Sequence, residues 1–178
     1  MNQAIKKVLV SREAIAQKVK ELGQQITQDY DGQEIVATCI LNGAFIFAAD
    51  LVRAIDLPMS VEFLMVSSYG NSTESSGTVQ IKRDFGIDIQ DKHVLIMEDI
   101  IDSGQTLKAL KDILLQRNPA SLKICTLLDK KERRTVDLEA DYVGFSIPNE
   151  FVVGYGLDFA SHHRNYPEVC VLKEEEYR

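Results

Sequence analysis

Hydrophobic positions follow two rhythms along the chain. Between Ser11 and Gln28, Ile15, Val19, Leu22 and Ile26 recur at intervals of three and four, which predicts an amphipathic helix with Ser11 as its cap. The stretch Glu34 to Leu41, EIVATCIL, reads as a strand, and Ala44 to Ile55 reads as a helix that stops before Pro58. Val61, Phe63 and Met65 mark a second strand. From Thr78 to Phe85, Val79 and Ile81 alternate with Gln80 and Lys82, a half-buried strand. Val94 to Met97, VLIM, is a continuous apolar run bounded by charge, the pattern of a central parallel strand covered on both faces. A helix from about Thr106 to Gln116 and a strand in SLKICTLL follow, then two short β-like pieces, YVGFSI and FVVGY, and a final VCVL. Strand and helix alternate through the middle, so the fold class is α/β, an open, mostly parallel twisted sheet flanked by helices. Ligands in such sheets bind beyond the carboxyl ends of the strands.

Length and charge narrow this picture. A chain of 178 residues is one domain's worth, and 45% hydrophobic content supports a sizeable core. The net charge of −7 argues against nucleic-acid binding by bulk electrostatics. No apolar run approaches the ~18–20 residues of a membrane span. The N-terminal segment is too polar after its short VLV to be a secretory signal. Cys39, Cys125 and Cys170 are dispersed, each within an apolar run, and read as reduced core thiols of a cytoplasmic protein.

The richest chemistry lies from Val94 to Leu107, VLIMEDIIDSGQTL. A buried strand is expected to end at Glu98 and Asp99, whose adjacent carboxylates diverge and can reach two vicinal hydroxyls or share a hydrated cation. Asp102, Ser103, Gly104, Gln105 and Thr106 then lead into a helix. Gly104 lets backbone approach a ligand, and N–H groups at the helix start, with the Ser103 and Thr106 hydroxyls, can surround a phosphate. Plain helix capping accounts for a lone Asp-Ser-Gly turn. It does not call for three acids, a glycine and two hydroxyls directly after a buried strand. No lysine follows the glycine, so this is not the nucleotide P-loop.

This string resembles the phosphoribosyl diphosphate signature of the type I phosphoribosyltransferases, and within them the hypoxanthine–guanine enzymes. The resemblance runs from about Leu41 to Leu172 and includes LNGA at Leu41 to Ala44, the SSYGNSTESSGT loop, LLDKK, and FVVGYGLDF with the Arg164 that follows. It implies a single domain over residues 1–178, with a core of about 35–140 and a small hood built from 1–30 and 141–178. It also implies that hypoxanthine or guanine displaces pyrophosphate from phosphoribosyl diphosphate, with Mg²⁺ as cofactor.

The resemblance assigns roles residue by residue. Asp102 to Thr106 would hold the 5′-phosphate, and Asp102 would also be the general base at purine N7, where its bland alternative is an N-cap carboxylate. Glu98 and Asp99 would meet the ribose hydroxyls, directly or through Mg²⁺. Lys130 would donate to the purine 6-oxo group; a solvated surface lysine is the alternative, since Lys131, Arg133 and Arg134 lie close by. Phe151 would stack on the base, the Val152 backbone would read its edge, and Asp158 would help organise Mg²⁺ beside it. Asn42 and Gly43 would form the pyrophosphate turn, where relatives often carry a cis peptide and many have lysine in place of Asn42. Arg164 would grip pyrophosphate. Ser68 and Tyr69 would be the fixed landmark of a closing lid, the long polar stretch from Ser67 to Thr78. The three histidines are given no chemistry. A homodimer or homotetramer is expected, with no nucleic-acid or membrane partner. Two other readings are a non-catalytic regulator on the same fold, which could dispense with Asp102, and an enzyme preferring xanthine or guanine.

Overall fold

Nine strands and three α-helices are found among the described residues of the computed structural model, which are 3–68 and 79–177. Six strands form the large sheet: β2 (Ile35–Leu41), β3 (Met59–Ser68), β4 (Val79–Arg83), β5 (His93–Ile101), β6 (Ser121–Asp129) and β7 (Tyr142–Ser146). Their order is β4-β3-β2-β5-β6-β7, and every pair is parallel except β3 with β4. The central strands are apolar on both faces. In β2, Ile35, Ala37 and Cys39 point into one core and Val36 and Ile40 into the other; Leu95 and Met97 oppose Val94 and Ile96 in the same way in β5.

Helices α1 (Arg12–Tyr30) and α2 (Phe45–Ala54) cover one face, through Ile15, Val19, Leu22 and Ile26 on the first and Phe47, Ala48 and Leu51 on the second. Helix α3 (Gln105–Leu115) covers the other face with Leu107, Leu110 and Leu114. The three cysteines are buried and unpaired. No helix among the described residues is long and apolar enough to cross a membrane.

Two results differ from the hydrophobic pattern. The pattern gives no element before Ser11, yet β1 (Ile5–Val10) is a strand. It pairs antiparallel with β9 (Val169–Leu172), which also pairs with β8 (Val152–Val153), so the order of this small sheet is β1-β9-β8. The strand after VLIM does not stop at the acid pair. Its ladder with β6 continues through Glu98↔Thr126 to Ile101↔Asp129, whereas β2 last pairs with it at Cys39↔Met97. Glu98 and Asp99 therefore lie in a strand one of whose edges has just lost its neighbour.

The small sheet draws on both ends of the chain, but the expected hood of 1–30 and 141–178 is too large for it. Helix α1 packs with α2 on the large sheet, and β7 is that sheet's edge strand. From β2 the chain crosses through α2 to β3 on one side; from β5 it crosses through α3 to β6 on the other. The crevice at this change of direction, above the carboxyl ends of β2 and β5, is where an open α/β sheet takes its ligand.

Candidate active site

Two turns and the last residues of β5 converge above that crevice. The first turn follows β2, where the Leu41–Asn42 peptide is cis and Gly43 leads into α2. A Cβ on Gly43 would lie 1.8 Å from Asp99 Oδ2, so only glycine lets the backbone run against that carboxylate. The β5 segment holds the acid pair. Glu98 Oε1 accepts from the Asp99 N–H at 3.0 Å, and Asp99 Oδ1 accepts from the Ile100 N–H at 2.7 Å. Burial raises both pKa values; the charge of Asp99 lifts Glu98 further, while the nearby Arg164 guanidinium pulls Asp99 back down.

The second turn runs from Gly154 to Asp158. A Cβ on Gly156 would lie 2.2 Å from the Gly43 carbonyl oxygen, so the two turns touch through their backbones. Arg164 fastens the second turn, donating to the Gly156 carbonyl at 2.7 Å and pairing with Asp158 at 2.9 Å. Asn42, Gly43, Asp99, Asp158 and Arg164, far apart in sequence, thus form one contiguous region. Glu98, Asp99 and Asp158 do not form one three-carboxylate cluster; none exists among the described residues.

Beside this region lies a cavity of about 150 Å³, lined by Glu98, Asp102, Ser103, Gly104 and Thr106 over an apolar floor. Gly104, at φ 81°, turns the chain into α3 through the left-handed region. The Gln105 side chain is not in the lining. It donates to Thr135 Oγ1 at 3.1 Å, which turns it toward the segment after the 3₁₀ turn of Lys131–Arg133 rather than into the cavity.

The cradle is braced by Arg133, Arg134 and Thr135, to which the sequence alone assigns no role. The Thr135 N–H donates to the Ser103 carbonyl at 3.0 Å. Arg134, whose side chain is only 10% exposed, donates to the Asp102 carbonyl at 3.3 Å, to the Leu138 carbonyl and to the buried carboxylate of Asp129. Arg133 Nε donates to Asp102 Oδ1 at 2.9 Å. The available signal was Asp129, an acid closing the buried end of β6 just ahead of four cations in five residues. A buried carboxylate requires a buried partner.

Lys130 is buried, against the surface-lysine alternative. Its backbone N–H donates to the Ile101 carbonyl at 3.0 Å, and its Nζ stands 4.0 Å from Asp102 Oδ2. Burial lowers its pKa, opposed by the charge of Asp102 and assisted by Arg133. A cationic donor and a carboxylate acceptor, too far apart to hydrogen-bond well, therefore stand side by side.

Phe151 enters the small sheet, its ring edge-on to Phe159 at 5.5 Å and stacked on Tyr177 at 4.7 Å. Its carbonyl accepts from the Leu172 N–H at 3.0 Å. Backbone groups alternate in direction along an antiparallel strand, so the N–H and C=O of Val152 point away from β9, out of the free edge of the small sheet. Ser67 and Ser68, the first two residues of the expected lid, are instead the end of β3, paired with Gln80 and Val79 of β4; Tyr69 and the rest of that lid lie outside the described residues.

Residues 7–160 match the phosphoribosyl transferase domain, and the chain belongs to that family. It is an enzyme, a glycosyltransferase of purine salvage. Its full-length relatives make the match more particular. It is 54% identical to the hypoxanthine-guanine phosphoribosyltransferase of Streptococcus pneumoniae over 97% of this chain and 96% of the relative. It is 50% identical to that of Aquifex aeolicus over 94% and 95%. The crystal structure of a hypoxanthine phosphoribosyltransferase from Staphylococcus aureus superposes with a TM-score of 0.96 at 49% identity, covering 98% of this chain and 95% of that one.

Proposed function

We propose that the chain transfers the 5-phosphoribosyl group of phosphoribosyl diphosphate to hypoxanthine and guanine, giving IMP or GMP and pyrophosphate. One observation carries the choice of base: Lys130 Nζ and Asp102 Oδ2 stand 4.0 Å apart at the rim of the cradle. The 6-oxo group and N7 are neighbours on one edge of an oxo-purine. An ammonium donates and cannot accept, so it favours a 6-oxo over a 6-amino group. A carboxylate beside it takes the N7 proton as N9 attacks the anomeric carbon, with Arg133 holding that carboxylate in place.

The remaining roles follow the same logic. The Ser103 and Thr106 hydroxyls and the backbone of Gly104 and Gln105 hold the 5′-phosphate at the start of α3. Glu98 and Asp99 face the ribose hydroxyls. Asn42, Gly43 and Arg164 hold the leaving pyrophosphate; Asn42 offers an amide donor without a cation's charge. The ring of Phe151 stacks on the base, and the outward Val152 backbone reads its edge. The small sheet serves as the hood, and Ser68 and Tyr69 anchor a lid that excludes water.

The acid pair suits Mg²⁺. Two carboxylates whose charged forms are disfavoured by burial and by each other gain from a hard cation, and Mg²⁺ keeps several water or substrate oxygens, so few protein ligands suffice. Bound there, the ion would neutralise charge on the leaving group. Asp158, paired with Arg164, would act beside it.

The buried free thiols support a reducing, cytoplasmic setting. The exposed side chains of Phe45, Val61 and Phe63 around one hollow support a homodimer or homotetramer. The deciding assay supplies phosphoribosyl diphosphate and Mg²⁺ with hypoxanthine, guanine, xanthine or adenine and compares kcat/KM. Hypoxanthine and guanine are expected to lead and adenine to be rejected. Adenine turning over as well as hypoxanthine would overturn the assignment of Lys130 and Asp102.

A further inference from the structure

We propose that Tyr177, at the end of the chain, is a positioning residue for the purine. It backs the Phe151 ring so that the opposite face is presented flat to the base. The inference rests on the reading of Phe151 as the stacking residue.

The tail is folded to deliver this ring. After β9, the Lys173 N–H donates to the Ala4 carbonyl at 3.0 Å, which ties the exit of the small sheet to its first strand. Glu174–Glu176 make a single 3₁₀ turn, closed by the Tyr177 N–H on the Glu174 carbonyl at 3.3 Å. That turn brings the Tyr177 ring to 4.7 Å from Phe151 with 20° between the planes, a parallel stack. Phe159 meets Phe151 at 5.5 Å and 89°, a perpendicular contact rather than a stack.

An aromatic ring has two faces. Tyr177 takes one, so a planar ligand can stack only on the face opposite Tyr177. The Phe151 backbone is already fixed, through its carbonyl to Leu172 and through the preceding Glu150 to Lys7 at 3.0 Å. The ring's own torsions are not fixed by these bonds; Tyr177 and Phe159 restrain them. A base would then join Phe151 and Tyr177 as the third member of a parallel stack, and the ordering of Phe151 would be complete before the base arrives.

The stack needs the tyrosine ring and not its hydroxyl. In the full-length protein, Tyr177→Ala is expected to raise the KM for hypoxanthine about three- to tenfold, leaving the KM for phosphoribosyl diphosphate unchanged and kcat within twofold. Tyr177→Phe is expected to match the parent. Phe151→Leu runs alongside and is expected to raise the base KM at least as much. If Phe151→Leu raises the base KM and Tyr177→Ala does not, the inference fails while the stacking role of Phe151 stands. If both KM values rise together in Tyr177→Ala, the tail is a general brace and the inference is equally overturned. If neither variant alters the base KM, the reading of Phe151 falls and takes the inference with it.

Discussion

Helices α1 and α3 begin in opposite ways. At α1, Ser11 is extended and its hydroxyl accepts from the Ala14 N–H at 3.2 Å, an N-cap that completes the helix from within. At α3 the N-cap is Gly104, left-handed and without a capping side chain; α2, above the neighbouring strand, starts at Ala44 and also lacks one. The helix far from the crevice satisfies its own first turn. The two that open onto it have no capping side chain at the N-cap; at α3 Ser103 Oγ accepts only a long bond from the Gln105 N–H at 3.4 Å, and Arg134 and Thr135 hold the turn through the carbonyls of Asp102 and Ser103. An open helix start held rigid by its backbone is suited to an anion; a finished one is scaffold.

Substitutions can break this contrast, beginning with the most severe. Asp102→Asn should keep the fold and nucleotide binding but cut turnover by about two to four orders of magnitude. Steady-state kcat near that of the parent would reduce the cradle's acid to a cap. Arg134→Met removes one partner of the buried pair with Asp129 and should cost about 3–5 kcal/mol in urea unfolding. The KM for phosphoribosyl diphosphate should rise with it, because the loop that Arg134 holds is the one proposed to hold phosphate.

Ser11→Ala sharpens the contrast from the other side. It should cost about 1 kcal/mol, read as a Tm lower by roughly 2–4 °C, with both KM values unchanged. The smallest effect concerns pH. Lys130 loses its proton more readily than an ordinary lysine because it is buried, and the neutral amine is a poorer donor to the 6-oxo group. The KM for hypoxanthine should therefore rise a few-fold with increasing pH, with a midpoint below the usual lysine value of about 10.4. Lys130→Arg, which stays charged, should flatten that limb.

The elements that periodicity revealed are those whose burial is set locally. Helix α1 could be read because Ile15, Val19, Leu22 and Ile26 face one core, and β2 because both its faces are covered. Strand β1 could not, because three consecutive residues of KKVLV are exposed and its partner lies at Val169–Leu172, at the other end of the chain. The cradle was legible as a string of chemistry, Asp102 to Thr106. Its bracing was not, since the pairing of Asp129 with Arg134 and of Arg133 with Asp102 depends on a chain reversal that composition does not encode. The acid pair was recognised, but the strand was read as ending too soon, because the ladder past Met97 is sustained by β6 alone.

Val152 offers its peptide group, not its side chain, at the open border of the small sheet. Any amino acid except proline supplies the same N–H and C=O there, so the base contact proposed for this position would survive substitution at 152 as long as the strand keeps its place. Selection for a different base has nothing to grip at this position. On the reading proposed above, the choice between an oxo and an amino substituent falls instead on Lys130, whose side chain a substitution can replace.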